Sequence, residues 1–369
     1  AALAKTICGR HSVGVTTKLG ALDWLLASGE PWTRYRTLVD IAERPADDPE
    51  VIDARNEMLE HPAVIGLIRQ SASWPGYPLK RHNDAAHPLY AISTLADFGL
   101  QREDLEIAEI AGSVMARFDG EGFETLLWLP RFLTKEEDAE AWSWMLCDSP
   151  TLLYALLAFG YGEEPSVRQA VGALAGRVAD NGWRCGAAAA LLRFAGPGRK
   201  EDACPIATVY SLKALSMVPE LRNSAVTSSG IDAILTHWEH QKDYKLRMFG
   251  IGTDFRKLKY PFVWYDILHV AEVISRFPGG CTDARFVEMM DEIGVQADAG
   301  MMPRPDQPGL AVPDRLVVSR RFITRHQLAH QAALQIIDRQ VHVAITGYSV
   351  GNGGLRIEGI GISRHRHGD

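Results

Sequence analysis

The sequence lacks the features that define several large protein classes. No apolar run approaches the roughly 18 residues that a membrane-spanning helix needs, so a spanning segment is not expected. The 369 residues carry a formal net charge of −7, which argues against nucleic acid as a partner, because phosphate binding needs a basic field. Lys5 and Arg10 interrupt the N-terminal segment, where a signal peptide needs unbroken apolar residues. These absences predict a soluble, cytoplasmic protein.

Cysteine is scarce and irregularly spaced. The chain has five cysteines, namely Cys8, Cys147, Cys185, Cys204 and Cys281. An odd number without framework spacing favours reduced thiols over a disulfide scaffold. The sequence also lacks Cys-x-x-Cys and His-Glu-x-x-His motifs, and it offers no clear alternating strand pattern before its C-terminal segment.

A repeated helix-opening pattern runs through the chain instead. A leucine follows the first residue of each unit by seven positions, and the units begin at Pro31, Pro88, Pro150, Pro205, Pro261 and Arg321. Proline suits the first position of a helix because its missing N–H has no partner there. Between these starts, apolar residues three and four apart predict second helices over 105–115, 167–178, 231–238 and 286–293.

This periodicity predicts an all-α protein built from six helical hairpins. Neither end carries an obvious polar capping repeat, which favours closure of the hairpins into a ring over an open array. The expected fold is therefore an (α/α)6 toroid over residues 21–340, with six inner helices around a central cavity. Residues 1–20 and the Gly-rich segment 341–369 lie outside the repeat, and the latter is either a short β-like hairpin or foreign sequence.

One stretch combines the repeat with chemically distinctive residues. GRKEDACPIATVYSLKAL, residues 198–215, places Arg199, Lys200, Asp202 and Cys204 before the fourth helix. Three loops, QSASW (70–74), DGEGF (119–123) and DNGW (180–183), look like degenerate versions of a repeat containing glutamine, glycine and tryptophan. Together these features resemble the terpenoid cyclase and protein prenyltransferase superfamily of α/α toroids, which includes the squalene–hopene cyclases. In prenyltransferases an Arg and a Lys hold a diphosphate, and an Asp-x-Cys pair binds zinc. The resemblance implies an enzyme acting on an isoprenoid-like or anionic small molecule.

The sequence departs from that family at two points. The family's third zinc ligand is a His after Pro-Phe, whereas Val263 follows Pro261-Phe262 here. The acidic Asp-x-Asp-Asp motif of the cyclases is absent. Neither activity therefore transfers intact, and the chemistry has to be argued from individual residues.

Helical geometry predicts which residues face the central cavity. Positions two, five and nine after each landmark proline share one face, and it carries an unusual polar set. Its candidate acids, bases and proton relays are Asp40, Asp97, Asp266, His326 and His330, with Tyr210 as a hydrogen-bond donor. Arg36, Tyr90, Trp264 and Tyr265 are candidate substrate contacts. Alternatively, the same residues satisfy hydrogen bonds between helices.

Basic pairs recur in the loops before the inner helices and predict an anion site at one end of the ring. They are Lys80-Arg81, Arg199-Lys200, the cluster 256–259 and Arg320-Arg321. Helix N-termini at the same end would add free N–H groups and positive potential. Zinc is a candidate cofactor there, with Asp202, Cys204, Cys185 and His87 as ligands and Cys147 as a neighbour. An ordinary buried thiol is the alternative for Cys204.

Three classes of function fit these patterns. The first is an enzyme, either a cyclase or transferase related to the prenyltransferases or a hydrolase or lyase in the same barrel. The second is a non-catalytic protein that binds a lipid or an anionic ligand. The third is an interaction scaffold that uses its outer helices. The sequence leaves the oligomeric state open.

Overall fold

The structure is a computed structural model that describes residues 22–23, 25–129, 139–191, 201–242, 249–259, 262–263 and 265–301. Helix dominates these residues, as predicted. The α-helices are α1 Pro31–Arg36, α2 Pro49–Glu60, α3 Pro62–Ala72, α4 Pro88–Phe98, α5 Ile107–Met115, α6 Ser149–Ala158, α7 Pro165–Ala175, α8 Pro205–Leu215, α9 Ala225–Glu239, α10 Ile267–Ser275, α11 Pro278–Cys281 and α12 Ala284–Met301. None of these helices is both long and apolar enough to cross a membrane.

The predicted helix starts are confirmed for four of the six repeat units. Helices α1, α4 and α8 begin at the expected prolines, and α6 begins one residue before Pro150. The fifth prediction is wrong, because α10 begins at Ile267 and not at Pro261. The side chain of Asp266 caps it, accepting hydrogen bonds from the N–H groups of Leu268 and His269 at 3.0 and 3.1 Å. The sixth unit, at Arg321, lies outside the described residues.

A two-stranded antiparallel sheet interrupts the helical pattern. Strand β1, Thr125–Leu129, pairs with β2, Ala139–Ser143, so that Thr125 lies opposite Ser143 and Leu129 opposite Ala139. The expectation that no strand precedes the C-terminal segment was therefore wrong. In β1 the burial alternates with a period of two, which is the signature of a strand with one face packed on the core.

Helices α4, α6, α8 and α10 form an inner layer in which each helix packs against the next. Outer helices cover it, with α3 on α4, α7 on α6, α9 on α8 and α12 on α10. Every residue of α8 and α10 is buried, whereas α7 buries only one face. The second helices predicted from apolar spacing are confirmed as α5, α7, α9 and α12. The sixth predicted hairpin, which would complete the ring, lies outside the described residues.

Two contacts between α4 and α8 indicate that the inner layer is curved. Asp97 of α4 reaches Lys213 of α8 at 2.9 Å, although α6 lies between these two helices. Tyr90 of α4 likewise lies beside Tyr210 of α8. Tyr90 precedes Asp97 in α4 and Tyr210 precedes Lys213 in α8, so the two helices run in the same direction. Side chains of helices that are not neighbours meet in this way on the inside of a curve.

Candidate functional site

The four inner helices begin at ionisable residues, which together define what we call the N-terminal rim. The residue that precedes the first turn is His87 in α4, Asp148 in α6, Cys204 in α8 and Asp266 in α10. A helix N-terminus presents free N–H groups and a partial positive charge, which favour anionic groups. The rim therefore places polar side chains at one end of the inner layer.

Asp266 is the most distinctive predicted residue of the rim. Its side chain is completely buried, and its Oδ1 atom is used to cap α10. Its Oδ2 atom has no hydrogen-bond partner among the described residues. Burial raises the pKa of Asp266 to about 7, against the opposing effects of the cap hydrogen bonds and of the nearby Lys259 ammonium. The carboxyl group can therefore exchange a proton near neutral pH.

Asp148 has the same arrangement at the start of α6, and sequence reasoning missed it. Its Oδ1 accepts hydrogen bonds from the N–H groups of Met145 and Ser149 at 3.0 and 2.6 Å. Its Oδ2 is buried without a hydrogen-bond partner in the described part of the chain. Burial raises the pKa of Asp148 to about 7. The signal available in the sequence was the Asp-Ser-Pro order, which is typical of a helix N-cap.

Two buried tyrosines lie between these carboxyl groups. The hydroxyl of Tyr90 donates a hydrogen bond to the backbone carbonyl of His82. The Tyr210 hydroxyl lies beside it and is close enough to Asp266 and Asp148 for their charges to act on it. Burial raises the pKa of both tyrosines, so both hydroxyls remain protonated donors. The structure thus brings together Tyr90, Tyr210 and Asp266, which the sequence predicted as one face.

Only part of the predicted zinc set comes together. Cys185 and Cys204 lie in contact and share a thiol hydrogen bond. His87 is unsuitable, because its Nε2 donates to the carbonyl of Tyr77 at 2.8 Å and its Nδ1 accepts from the N–H of Leu89 at 3.2 Å. Asp202 is half-buried and contributes to no cluster of metal-ligating atoms within the described residues.

The prenyltransferase zinc site therefore does not fit this chain. Its third position is taken by Val263, which is a buried apolar side chain. A different group of donors does converge at the rim. The ligand atoms of His82, Cys147 and Asp148 all lie within 4.8 Å of one another.

Asp97 lies at the opposite end of the inner helices. Lys213 contacts its two carboxylate oxygens at 2.9 and 3.0 Å, and the Tyr154 hydroxyl donates to it at 2.7 Å. Glu272 of α10 and Arg276, the residue after α10, form an ion pair in the same region. The oxygens of Asp97 are thus engaged in a buried network, and its predicted role as an acid or base in the cavity stays a prediction. Helix α6 is rotated by one position from the predicted face, so that Tyr154 points inward.

Arg36 and Asp40 also lie apart from the N-terminal rim. They lie one turn apart and form an ion pair of 2.8 Å. Arg36 packs beside Gly99, the residue that ends α4, and so lies away from the rim. The structure shows this ion pair, and the predicted substrate role of Arg36 and catalytic role of Asp40 stay predictions.

The remaining predicted substrate contacts are dispersed. Lys80 lies 5.2 Å from the ring centre of Trp128, in a cleft of about 450 Å³ that also includes Tyr77 and Glu140. Arg81 is exposed on the same loop. Tyr265 packs on Phe249 and Phe255 next to the rim. Five predicted residues lie outside the described part of the chain, namely Arg199, Lys200, Trp264, His326 and His330.

The predicted basic cluster 256–259 places one lysine near Asp266. Lys259 is 15% exposed, bonds to Asp254 at 2.7 Å, and its charge acts on Asp266. Arg256 is held by Gln241 and lies over the Trp238 ring. Among the described residues, Lys259 therefore brings a positive charge to this part of the rim.

Comparison with known proteins identifies no relative of this chain. No protein-family model matches it, and no curated protein or solved structure matches it either. The function has to be inferred from the geometry of the rim.

Proposed function

We propose that the chain is an enzyme of the terpenoid cyclase and prenyltransferase-like α/α toroid class. It acts by acid–base chemistry on an anionic or isoprenoid-like small molecule at the N-terminal rim. The curved inner layer, in which α4 and α8 run in the same direction, supports the proposal of a toroid. One observation supports the catalytic part above all others: a fully buried carboxylate oxygen of Asp266 has no hydrogen-bond partner among the described residues.

Asp266 is the proposed general acid or base. A buried polar atom without a partner is costly, and proteins retain such atoms where they have a function. The pKa of about 7 allows the carboxyl group to be present in both protonation states at neutral pH, which suits proton transfer. Because Oδ1 is fixed by the α10 cap, the free Oδ2 is held in one position.

The neighbouring tyrosines supply the polar environment for this proton transfer. Tyr210 senses the charge of Asp266 and keeps its proton, because burial raises its pKa. It is therefore a donor that can hydrogen-bond a substrate oxygen without competing for the proton that Asp266 transfers. Tyr90 fixes the loop before α4 through its bond to the carbonyl of His82.

An anionic group on the substrate explains the basic residues around the rim. Lys259 approaches Asp266 from the loop before α10, and the N-termini of four helices point to the same end. Tyr265 and its aromatic neighbours Phe249 and Phe255 offer an apolar surface beside this charge. A phosphate or diphosphate ester with a hydrocarbon part combines both requirements.

The test uses geranyl diphosphate and inorganic diphosphate as probes of the purified chain. Diphosphate release and the organic products are measured alongside binding by calorimetry. The Asp266→Asn variant keeps the cap acceptor but removes the acid, so turnover should fall by about 10²- to 10⁴-fold while binding remains. Asp48→Asn is the matched control, because Asp48 caps the outer helix α2 and should not affect turnover.

Each result separates the proposal from its alternatives. Undiminished turnover in Asp266→Asn contradicts the assigned catalytic role. Binding of the probes by the wild-type chain without turnover favours the non-catalytic anion-binding protein. Release of a simple alcohol identifies a hydrolase, whereas a cyclised or transferred hydrocarbon identifies cyclase or transferase chemistry.

A further inference from the structure

A second group of rim residues has the composition of a metal site. His82 comes from the loop before α4, and Cys147 and Asp148 come directly before α6. Their imidazole nitrogen, thiol sulfur and carboxylate oxygen lie within 4.8 Å of one another. The ligand atoms of a tetrahedral zinc ion lie about 3.3–3.8 Å apart, since each is about 2.0–2.3 Å from the metal. A contraction of roughly 1 Å would bring the three groups onto one ion.

Two further thiols adjoin this group. Cys204 lies close enough to Cys147 for its charge to raise the pKa of the Cys147 thiol, together with burial and the charge of Asp148. Cys185 is hydrogen-bonded to Cys204 and also senses Cys147. Cys147, Cys185 and Cys204 are all free thiols. Four separate chain segments thus deliver soft and borderline donors to one place.

The cluster also contains buried polar atoms that lack partners. Oδ2 of Asp148 and Nδ1 of His82 are buried and have no hydrogen-bond partner among the described residues. They lie 3.6 Å apart, which is too long for a hydrogen bond between them. A neutral imidazole nitrogen offers a lone pair to a metal ion. A cation between the two atoms would satisfy both.

We propose that His82, Cys147 and Asp148 bind a zinc ion at the N-terminal rim, with a thiol of the adjoining pair Cys185 and Cys204 as the fourth ligand. Mixed imidazole, thiolate and carboxylate donors favour zinc over the harder cations magnesium and calcium. The site differs from the prenyltransferase set, because neither Asp202 nor a residue after Pro261-Phe262 takes part. It is independent of the proposed function, because Asp266 is not a ligand.

A zinc ion at this site would connect several segments of the chain. The ion would join the loop before α4 to the starts of α6 and α8, which are far apart in sequence. Because a folded chain assembles the donors and an unfolded chain does not, zinc should stabilise the fold.

The test measures metal directly. The wild-type chain, purified without a histidine tag, should contain about one zinc ion per chain by mass spectrometry of the metal. After chelation, titration with Co²⁺ should give an intense thiolate charge-transfer band in the near ultraviolet. His82→Ala, Cys147→Ser and Asp148→Asn should each lose most of the metal and weaken Co²⁺ binding about 10-fold or more. Cys281→Ser is the matched control, because Cys281 bonds to the carbonyl of Ser275 outside the cluster.

A second measurement avoids variants that fail to fold. Alkylation of the wild-type thiols, read by peptide mass spectrometry, should be slow at Cys147 and at one of its two neighbours when zinc is present. It should accelerate after chelation, while Cys281 reacts equally in both conditions. The proposal is overturned if the wild-type chain neither contains nor takes up zinc or Co²⁺, or if metal content survives all three ligand substitutions. The Asp266→Asn variant should retain its zinc, which separates failure of this site from failure of the catalytic proposal.

Discussion

Lys213 and Asp97 form a buried ion pair of 2.9 Å that joins α8 to α4 across the intervening helix α6. The helix that lies between them takes part as well. Tyr154 of α6 donates a hydrogen bond to Asp97 at 2.7 Å, and the Lys213 ammonium lies 4.4 Å from the centre of the Tyr154 ring. One charge pair therefore ties three inner helices together at their C-terminal end.

Removing one partner of this pair should destabilise the fold strongly. Lys213→Met leaves the Asp97 carboxylate buried without its counter-charge, and the free energy of unfolding should fall by about 3–5 kcal/mol. The double variant Lys213→Met/Asp97→Asn should recover part of this loss, because no unpaired charge remains. Urea denaturation of the wild type, both single variants and the double variant completes the thermodynamic cycle.

An exposed ion pair provides the control for this cycle. Arg168 and Glu163 approach to 3.5 Å with exposed fractions of 64% and 93%. Glu163→Gln should change the unfolding free energy by less than about 1 kcal/mol. A similar cost for both pairs would contradict the role assigned to burial.

Glu272 should make the fold sensitive to acid. Although burial opposes its ionisation, the charges of Arg276 and Lys213 hold the pKa of Glu272 at about 2, below its ordinary value of 4.5. A depressed carboxyl pKa contributes stability that is present above pH 4.5 and lost as the pH falls towards 2. The contribution is roughly 3 kcal/mol at neutral pH. Glu272→Gln should therefore be less stable than the wild type at pH 7 and should show a flatter decline between pH 4.5 and 2.

The measurement is urea denaturation at a series of pH values. Glu103→Gln serves for comparison, because the Glu103 side chain is 75% exposed. This variant should follow the wild-type curve. Parallel curves for Glu272→Gln and the wild type would rule out the electrostatic stabilisation of Glu272.

Asp266 should have the opposite dependence on pH. Its pKa is raised from 3.8 to about 7, so the folded chain binds the proton more tightly than the unfolded chain. This stability is complete below pH 3.8 and is lost as the pH rises towards 7. Asp266→Asn keeps the α10 cap but does not titrate, so above pH 7 it should be more stable than the wild type by up to about 4 kcal/mol.

Thermal unfolding from pH 5 to pH 8 tests this prediction. The difference between the variant and the wild type should widen as the pH rises. Lys259 and Asp254 also act on Asp266 and set the size of the effect. Asp53→Asn changes an exposed residue of α2, and its stability should change with pH in parallel with that of the wild type. If the stability of Asp266→Asn also changes in parallel with the wild type, the raised pKa of Asp266 is wrong.

Two glycines in the middle of outer helices should respond oppositely to the same substitution. A Cβ atom on Gly230 of α9 would lie 2.5 Å from Cζ3 of the buried Trp183, whereas one on Gly172 of α7 meets nothing within 4 Å. Gly230→Ala should destabilise the chain by about 1–3 kcal/mol through overpacking. Gly172→Ala should stabilise it by about 0.5–1 kcal/mol through helix propensity. Chemical denaturation distinguishes the signs, and stabilisation by both substitutions would contradict the described packing of α9.

The helical architecture was predictable because it depends on local signals. A proline at a helix start and apolar residues three and four apart act within a few residues, and they located α4, α6 and α8 to within one position. The start of α10 was misplaced for the same reason. The side chain of Asp266 caps α10, but a single aspartate is a weaker signal in a sequence than a repeated proline.

The site was predictable only in part, because it depends on contacts between distant segments. Tyr90 and Tyr210 were named from the helical face, and Asp266 was named from a helix predicted to begin too early, at Pro261. His87 was preferred over His82. Adjacency to a landmark proline made His87 attractive, but that position is the N-cap, where both ring nitrogens are used by the backbone. Asp148 was missed because α6 shows few charges. The short strands β1 and β2 were missed because five-residue strands resemble loops within a helical repeat.

In each of the two rim carboxyl groups, those of Asp148 and Asp266, the two oxygens have different surroundings. In Asp148 and in Asp266 one oxygen holds a helix start, and the other is left without a hydrogen-bond partner in the described structure. An amide at either position would keep the acceptor that caps the helix. It would remove the proposed proton transfer at Asp266 and the proposed zinc ligand at Asp148. Under these proposals, a single-nucleotide exchange of aspartate for asparagine removes either role from a chain that still folds.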